Sequence, residues 1–211
     1  MPAPRKRRLR AVKNKPLMSV EDRLLQAMES LLEKGQGFAG VSVDKLAKEA
    51  GIARATFYLH FADKAELVSN LMERLTQEVV ASAGSWFAGN ATVANPDDLK
   101  PALTGIILTF RKHHAVLEAA AATSGHDAAV AALHDQMMNA LCEQSRKAVK
   151  AADPKELKRF GVEPDTLADV LTWSIELFCA RFIHQYDEKQ ADELITTFAY
   201  ICHRAIFAKQ G

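Results

Sequence analysis

The feature that most constrains this chain is a pair of short amphipathic segments that a glycine separates, within residues 41–61. Ser42 suits the N-cap of the first segment, because its hydroxyl can accept a hydrogen bond from a free backbone N–H. One apolar face follows at helical spacing: Val43, Leu46, Ala47 and Ala50. Gly51 comes next, and glycine adopts the left-handed conformation at the least cost. The first segment is therefore predicted to be a short helix that ends in a tight turn.

The second segment begins near Ala53 and has one aromatic face and one polar face. Phe57 and Phe61 lie four residues apart, so we expect a helix to bury both of them on one side. The other side carries side chains that form hydrogen bonds: Arg54, Thr56, Tyr58 and His60. Two short helices with this pattern predict a helix-turn-helix, whose second helix enters the major groove of DNA.

Residues at fixed spacing across positions 19–75 resemble the DNA-binding domain of the tetracycline-repressor (TetR) family of bacterial regulators. They are Gly51-Ile52, Thr56-Phe57-Tyr58, His60-Phe61, Asp63-Lys64 and Glu66-Leu67. The resemblance implies a cytoplasmic, homodimeric transcriptional repressor. Such a repressor binds a (pseudo)palindromic double-stranded DNA operator and leaves it when a small, mostly hydrophobic effector binds. Over the rest of the chain the resemblance covers only length and layout.

The resemblance also implies roles for individual residues in DNA binding. Arg54 and Ala55 are expected to meet base edges, and the guanidinium fork of Arg54 suits guanine. Contacts to phosphate or sugar are expected from Thr56, Tyr58, His60 and Lys64, and from Ser42 at a helix N-terminus. The alternative is that these side chains form an ordinary solvated helix face.

Charge is unevenly distributed along the chain, although the net charge is only +1. Residues 1–83 carry a net charge of +4 and residues 84–211 a net charge of −3. The basic excess therefore lies beside the predicted helix-turn-helix, where phosphate contacts need it. Residues 1–18 are predicted to be a disordered basic arm, which either solubilises the chain or adds contacts to DNA.

The remaining sequence predicts helices only, so the expected fold is all-α. A first helix is predicted from Ser19 to Lys34 and a connecting helix at about 63–83, followed by a loop at 84–96. Further helices are predicted at about 97–114, 115–124, 127–152, 164–186 and 189–208. We expect a helix-turn-helix domain over residues 19–66 and a helical effector-binding and dimerisation domain over residues 67–211.

Apolar and polar residues on the later helices are candidates for an effector pocket between bundle helices. The candidates are Leu103, Ile106, Phe110, His134, Met138, Leu141, Thr172, Trp173, Ile175 and Glu176. For any one of them, ordinary core packing is the competing interpretation. The run Thr109-Phe110 to His113-His114-Ala115-Val116 resembles the ethionamide-resistance repressors of the same family, which implies a long apolar tunnel.

The last two predicted helices carry more apolar residues than one core needs. Residues 167–183 are apolar almost all round, and residues 194–207 show two adjacent apolar stripes. A helix that is apolar on all sides must be buried, so a second subunit is expected to cover one stripe. The residues predicted at this dimer interface are Phe178, Phe182, Leu194, Phe198 and Ile201.

Other function classes find less support in the sequence. An all-helical enzyme or carrier for a hydrophobic molecule is the main alternative, but no nucleophile–base pair or phosphate loop is recognisable. A nucleic-acid packager that uses only the basic arm is another. We expect no metal site and no cofactor, because the histidines lack ligand spacing. The three cysteines (Cys142, Cys179 and Cys202) are predicted to be buried reduced thiols.

Overall fold

The computed structural model describes residues 18–89, 93–123, 127–152, 157 and 160–207 of the chain. These residues contain nine α-helices and no β-strand, which confirms the predicted all-α class. Nearly all of the predicted basic arm, residues 1–17, lies outside the described residues, and so do the predicted helix breaks at 124–125 and 153–154. None of the described helices is long and apolar enough to cross a membrane.

The N-terminal helices begin and end at the signals that the sequence carries. Ser19 accepts a hydrogen bond from the backbone N–H of Asp22 at 2.9 Å, and Ser42 accepts one from Lys45 at 3.3 Å. Gly51 has a φ of 66°, in the left-handed region that a residue with a Cβ rarely adopts. The elements are α1 (Val20–Glu33), a 3-10 turn (Phe38–Gly40), α2 (Val43–Glu49) and α3 (Arg54–Phe57).

Helix α4 (Lys64–Ser82) connects the helix-turn-helix to the rest of the molecule. Asp63 caps it by accepting the backbone N–H of Glu66 at 2.9 Å, and the Glu66 carboxylate accepts the backbone N–H of Ala62 at 2.6 Å. This reciprocal arrangement satisfies backbone donors that a helix start leaves free. The buried side of α4 runs the length of the helix: Leu67, Val68, Leu71, Met72, Leu75 and Val79.

The C-terminal helices form a bundle around α4. They are α5 (Lys100–Lys112), α6 (His114–Thr123), α7 (Ala128–Ala151), α8 (Pro164–Phe182) and α9 (Glu188–Phe207). Helix α5 begins later than predicted, after a 3-10 turn (Pro96–Leu99), because Pro101 has no N–H to extend α-helical bonding back to Asp97. Helix α8 ends earlier than predicted, in a third 3-10 turn (Ile183–Gln185).

A glycine allows α5 to touch the end of α4 directly. A Cβ on Gly105 would lie 2.2 Å from the carbonyl oxygen of Ser82, which is closer than two such atoms can approach. Any larger residue at this position would therefore push the two helices apart. The sequence contained no local sign of this contact, because Gly105 lies within an otherwise ordinary helical pattern.

Candidate DNA-binding and effector sites

The side chains predicted to bind DNA lie on and around the α2–α3 unit. Phe57 is fully buried and Phe61 nearly so, and their ring centroids are 5.9 Å apart. These two rings fix α3 against the core and leave its other side in solvent. Of the predicted contacts, Ser42, Arg54, Ala55, Tyr58 and His60 are exposed, whereas Thr56 and Lys64 are half-buried.

Arg54 is held by two neighbours in the DNA-free protein. Its Nη1 donates to both carboxylate oxygens of Asp44, at 2.9 and 2.8 Å. Its Nη2 lies 3.4 Å from the hydroxyl of Tyr58, and the guanidinium carbon is 5.8 Å from the centre of that ring. The side chain expected to read guanine is therefore bound by α2 on one side and by the end of α3 on the other.

Two other predicted DNA contacts have partners within the protein. The Lys64 ammonium donates to the backbone carbonyl of Phe38 at 2.6 Å, which ties the start of α4 to the first 3-10 turn. The Nδ1 atom of His60 lies 3.3 Å from a carboxylate oxygen of Glu21 on α1. Lys64 thus has a structural contact that the sequence did not reveal.

Leu59 belongs to the same surface, although its side chain is apolar. It is 81% exposed, directly after the exposed Tyr58. Leu59 was not among the predicted DNA contacts, because those residues were selected for their hydrogen-bonding groups. The sequence did contain an indication of Leu59: it is a large apolar residue next to the polar face of a helix that is expected to bind DNA.

A partly open cavity of about 50 Å³ lies between α4, α5, α7, α8 and α9. Most of its wall is apolar, and the lining side chains that carry a polar group are Trp86, Ser145, Thr172 and Cys202. No charged side chain is among the described residues of this wall. Six of the predicted effector residues line it: Leu103, Ile106, Phe110, Leu141, Thr172 and Ile175. Trp86 and Phe87, from the turn after α4, complete the wall.

The other four predicted effector residues lie away from this cavity. Met138 is fully buried in the core. Glu176 is buried against α7, where its carboxylate lies 3.2 Å from Nε2 of His134. This hydrogen bond raises the pKa of His134, in spite of burial, which works in the other direction. Trp173 packs edge-on against His134 and is otherwise half in solvent.

The outer face of α8 and α9 carries exposed apolar side chains. Of the predicted interface residues, Phe182 and Ile201 are exposed and Phe178 is half-buried. Leu194 and Phe198 are buried within the chain's own core, where Phe198 packs edge-on against Phe178. Three further exposed residues lie on one side of α8 at spacings of three and four: Val170, Trp173 and Leu177. They belong to the apolar run 167–183 but were not among the residues predicted at the interface, and Trp173 was predicted instead as an effector residue.

A buried polar cluster joins the helix-turn-helix to the bundle at the break between α5 and α6. His113 is only 5% exposed. Its Nδ1 lies 2.6 Å from Glu29 of α1 and its Nε2 lies 3.0 Å from Glu78 of α4. Both ring nitrogens face carboxylates, and the cationic form of the ring offers an N–H donor to each of them. Lys112 also donates to Glu78 at 2.7 Å, and Arg74 joins Glu78 to Asp22.

Mutual attraction shifts the pKa values within this cluster in opposite directions. Burial by itself lowers the pKa of His113, but the hydrogen bonds to Glu29 and Glu78 outweigh it, and the pKa is raised. Burial by itself raises the pKa of Glu78, but Lys112 and His113 lower it to about 2. All three helices that meet here are therefore held by charges of opposite sign.

Comparison with known proteins finds one matching family model and several relatives. The family model described as "Bacterial regulatory proteins, tetR family" matches residues 24–71. The nucleoid occlusion factor SlmA of Aliivibrio fischeri is 23% identical over 177 residues, which are 82% of this chain and 88% of that protein. The HTH-type transcriptional regulator EthR of Mycobacterium tuberculosis is 30% identical over 115 residues, which are 54% of this chain and 53% of that protein.

Solved structures show the same fold over almost the whole chain. The fatty acid degradation regulator FadR from Bacillus halodurans superimposes with a TM-score of 0.70 at 13% identity, and covers 92% of this chain and 100% of that one. A TetR-like transcriptional regulator from Rhodococcus sp. RHA1 gives a TM-score of 0.61 at 21% identity, with coverages of 90% and 97%.

The cluster around His113 predicts a pH-dependent stability difference between the wild-type protein and His113→Gln. Because the folded-state pKa of His113 is raised, its stabilising effect is complete below the unfolded-state pKa and is lost as pH rises through the folded-state value. We expect His113→Gln to lower the free energy of unfolding by about 2 kcal/mol at pH 6, and by less at pH 9. Denaturant unfolding across this range measures it. The exposed His184→Gln variant is the control, and a pH-independent difference for His113→Gln would contradict the prediction.

Proposed function

We propose that this chain, a DNA-binding transcriptional regulator of the TetR family, is a repressor that an uncharged, mostly apolar small molecule releases from its operator. The observation that carries the proposal is the path of α4. Leu67 and Leu71 in its N-terminal half belong to the same continuous core as Leu46 and Phe57 of the helix-turn-helix, and Val79 near its other end lines the cavity. One helix thus connects the DNA-binding surface with the cavity. We place the domain boundary within it, near residue 66.

In this proposal the exposed side of α3 lies in the major groove. Arg54 and Ala55 meet base edges, and Tyr58 and His60 contact the backbone of the DNA. Ser42 presents the N-terminus of α2 to a phosphate, where the helix dipole favours an anion. Thr56 and Lys64 act from half-buried positions at the edge of this surface.

The effector's chemical class follows from the cavity wall. Burial of a charged group without a partner costs several kcal/mol, and the described wall offers no cation to a carboxylate. Ser145 supplies a hydroxyl that suits one hydroxyl or carbonyl of an otherwise apolar molecule. The Thr172 hydroxyl donates to the carbonyl of Ala168 at 2.8 Å, so it can only accept a hydrogen bond from a ligand hydroxyl. FadR, with the same fold, is named for fatty acid degradation, so a long-chain carboxylate is the alternative that must be tested.

The effector signal is proposed to pass through the His113 cluster. Helix α5 lines the cavity with Ile106 and Phe110 and ends at His113, which is bonded to α1 and α4. A ligand that displaces α5 therefore changes the position of α4 beneath the helix-turn-helix. It can do so only to the extent that it binds the displaced state better.

We also propose that the chain acts as a homodimer through the outer face of α8 and α9. Val170, Trp173 and Leu177 on α8 and Ile201 on α9 are apolar side chains that the described residues leave exposed. Two copies joined by a two-fold axis would pair these helices into a four-helix interface. The same axis would relate the two half-sites of a (pseudo)palindromic operator.

Selection of bound sequences from a random DNA pool at fixed, near-physiological salt tests DNA reading. We expect a (pseudo)palindromic motif with the wild-type protein. Arg54→Ala should lose the preference at one base pair of each half-site, at a cost of about 1–3 kcal/mol, because a two-pronged guanine contact is gone. Lys64→Ala should weaken binding to all sequences alike, and its melting temperature shows how much of this is lost stability. A motif that Arg54→Ala leaves intact would place α3 outside the groove.

Straight-chain primary alcohols and carboxylates of equal length test the effector class. We expect the alcohols to raise the melting temperature and release operator DNA, and the carboxylates to bind about 100-fold more weakly or less. Ile106→Trp fills the cavity, so it should remove the response to alcohols. Leu108→Trp, on the exposed side of the same helix, is the matched control. Equal binding of both series would refute the uncharged effector.

Leu177→Glu tests the dimer, because Leu177 is 66% exposed and central to the proposed interface. A charge buried there would have no partner, so we expect monomers in sedimentation analysis at micromolar concentration and weaker binding to the full operator. Leu108→Glu is the control for a charge on another exposed apolar site. If Leu177→Glu remained dimeric, the interface would lie elsewhere.

A further inference from the structure

We infer that Asp44 is a positioning residue: it fixes the orientation in which Arg54 meets DNA, and so sets base preference without contact to a base. The inference rests on the proposed function, since it takes Arg54 as the residue that reads guanine. Asp44 lies in the first turn of α2, and Arg54 begins α3 after the turn. The ion pair therefore connects the two helices of the helix-turn-helix.

The geometry of the pair occupies one end of the guanidinium group and leaves another edge open. Both Asp44 oxygens accept from Nη1, at 2.9 and 2.8 Å. Nη2 has only the longer 3.4 Å contact with Tyr58, and Nε has no hydrogen-bond partner in the described part of the chain. The Nε–Nη2 edge is therefore available, with its two N–H groups side by side.

The open edge is the one that makes two-pronged contacts. Elsewhere in this protein, Arg146 uses its Nε and Nη2 to bind the two oxygens of Asp169, at 2.7 and 2.6 Å. Guanine presents O6 and N7 in the major groove as a comparable pair of acceptors. Asp44 thus leaves Arg54 with the edge that recognises guanine.

Tyr58 restrains the same side chain from the other direction. The guanidinium carbon of Arg54 lies 5.8 Å from the centre of the Tyr58 ring, a distance at which a cation and an aromatic face attract each other. An unrestrained arginine side chain loses much rotamer freedom when it binds. Because Asp44 and Tyr58 restrict Arg54 before DNA arrives, less of that freedom remains to be lost on binding.

The effect of removing the Asp44 charge on DNA binding distinguishes a positioning role from that of an ordinary surface ion pair. A carboxylate near DNA repels phosphates, so removal of its charge should strengthen binding to any DNA. Removal of a positioning residue has a second effect besides the change in overall DNA affinity: it weakens the preference for the correct base. Affinity for random DNA and discrimination between bases should therefore change in different directions.

Glu49 provides a matched control on the same helix. It pairs with Lys34 at 2.6 Å and has no hydrogen bond or ion pair with Arg54. Glu49→Gln removes one carboxylate from α2 in the same way as Asp44→Asn does. Only Asp44→Asn removes the charged partner of Arg54.

The test measures affinity for three DNAs at several salt concentrations: the selected operator, the operator with the guanine read by Arg54 replaced, and random DNA. For Asp44→Asn we expect discrimination between the first two to fall about fivefold or more, while affinity for random DNA is kept or increased. Asp44→Glu keeps the charge but displaces the carboxylate, so it should lower discrimination with random-DNA affinity unchanged. Glu49→Gln should strengthen binding to all three alike. In an Arg54→Ala background, Asp44→Asn should leave discrimination unchanged.

Two results would overturn the inference, and they are distinguishable. If Asp44→Asn changes all three affinities by one factor, as Glu49→Gln does, Asp44 is an ordinary surface charge and Arg54 remains the reader. If Arg54→Ala keeps full discrimination, the proposed reading of guanine fails, and the role of Asp44 falls with it. Unfolding curves of each variant confirm that it is folded, and Asp44→Glu repeats the test with the charge retained.

Discussion

The burial of one continuous apolar side of α4 is the interaction on which the rest of this structure depends. Leu67, Leu71 and Leu75 are buried in the core that α4 shares with the helix-turn-helix, and Val79 lines the cavity of the bundle. The buried residues accordingly form a single cluster that extends from α1 to α9. Because a close-packed core transmits displacement, neither the DNA-binding surface nor the cavity can rearrange independently of this helix.

The fold could be predicted from sequence wherever its causes are local. Ser19, Ser42 and Asp63 mark helix starts, and Gly51 marks the turn, because caps and turns depend on residues only a few positions apart. The His113 cluster could not be predicted in this way. Its partners lie 84 and 35 positions from it along the chain, and only packing brings them together. The adjacent histidines at 113 and 114 gave no local sign of what either ring would contact.

The candidate sites show the same division. Periodicity identified the helices that enclose the cavity, and Ile106 and Leu141 are among the residues that line it. Periodicity could not tell which buried side of α8 faces the cavity, so Thr172 faces it while Glu176 turns to His134. For Arg54, chemistry alone suggested a role, but its orientation depends on Asp44 in a different helix. The DNA-contact, effector and interface residues themselves stay predictions until they are tested.

The contact between Gly105 and Ser82 has a mechanical consequence. Two helices separated by side chains can slide, because side chains change rotamer to follow the movement. Where a Cα lies against a carbonyl group, no side chains separate the two backbones, so the helices cannot slide past each other at this point. A molecule that widens the cavity by pressing on α5 must therefore carry the end of α4 with it. The rigidity of the contact between Gly105 and Ser82, rather than the size of the cavity, therefore sets the smallest displacement of α5 that produces a response at the other end of α4.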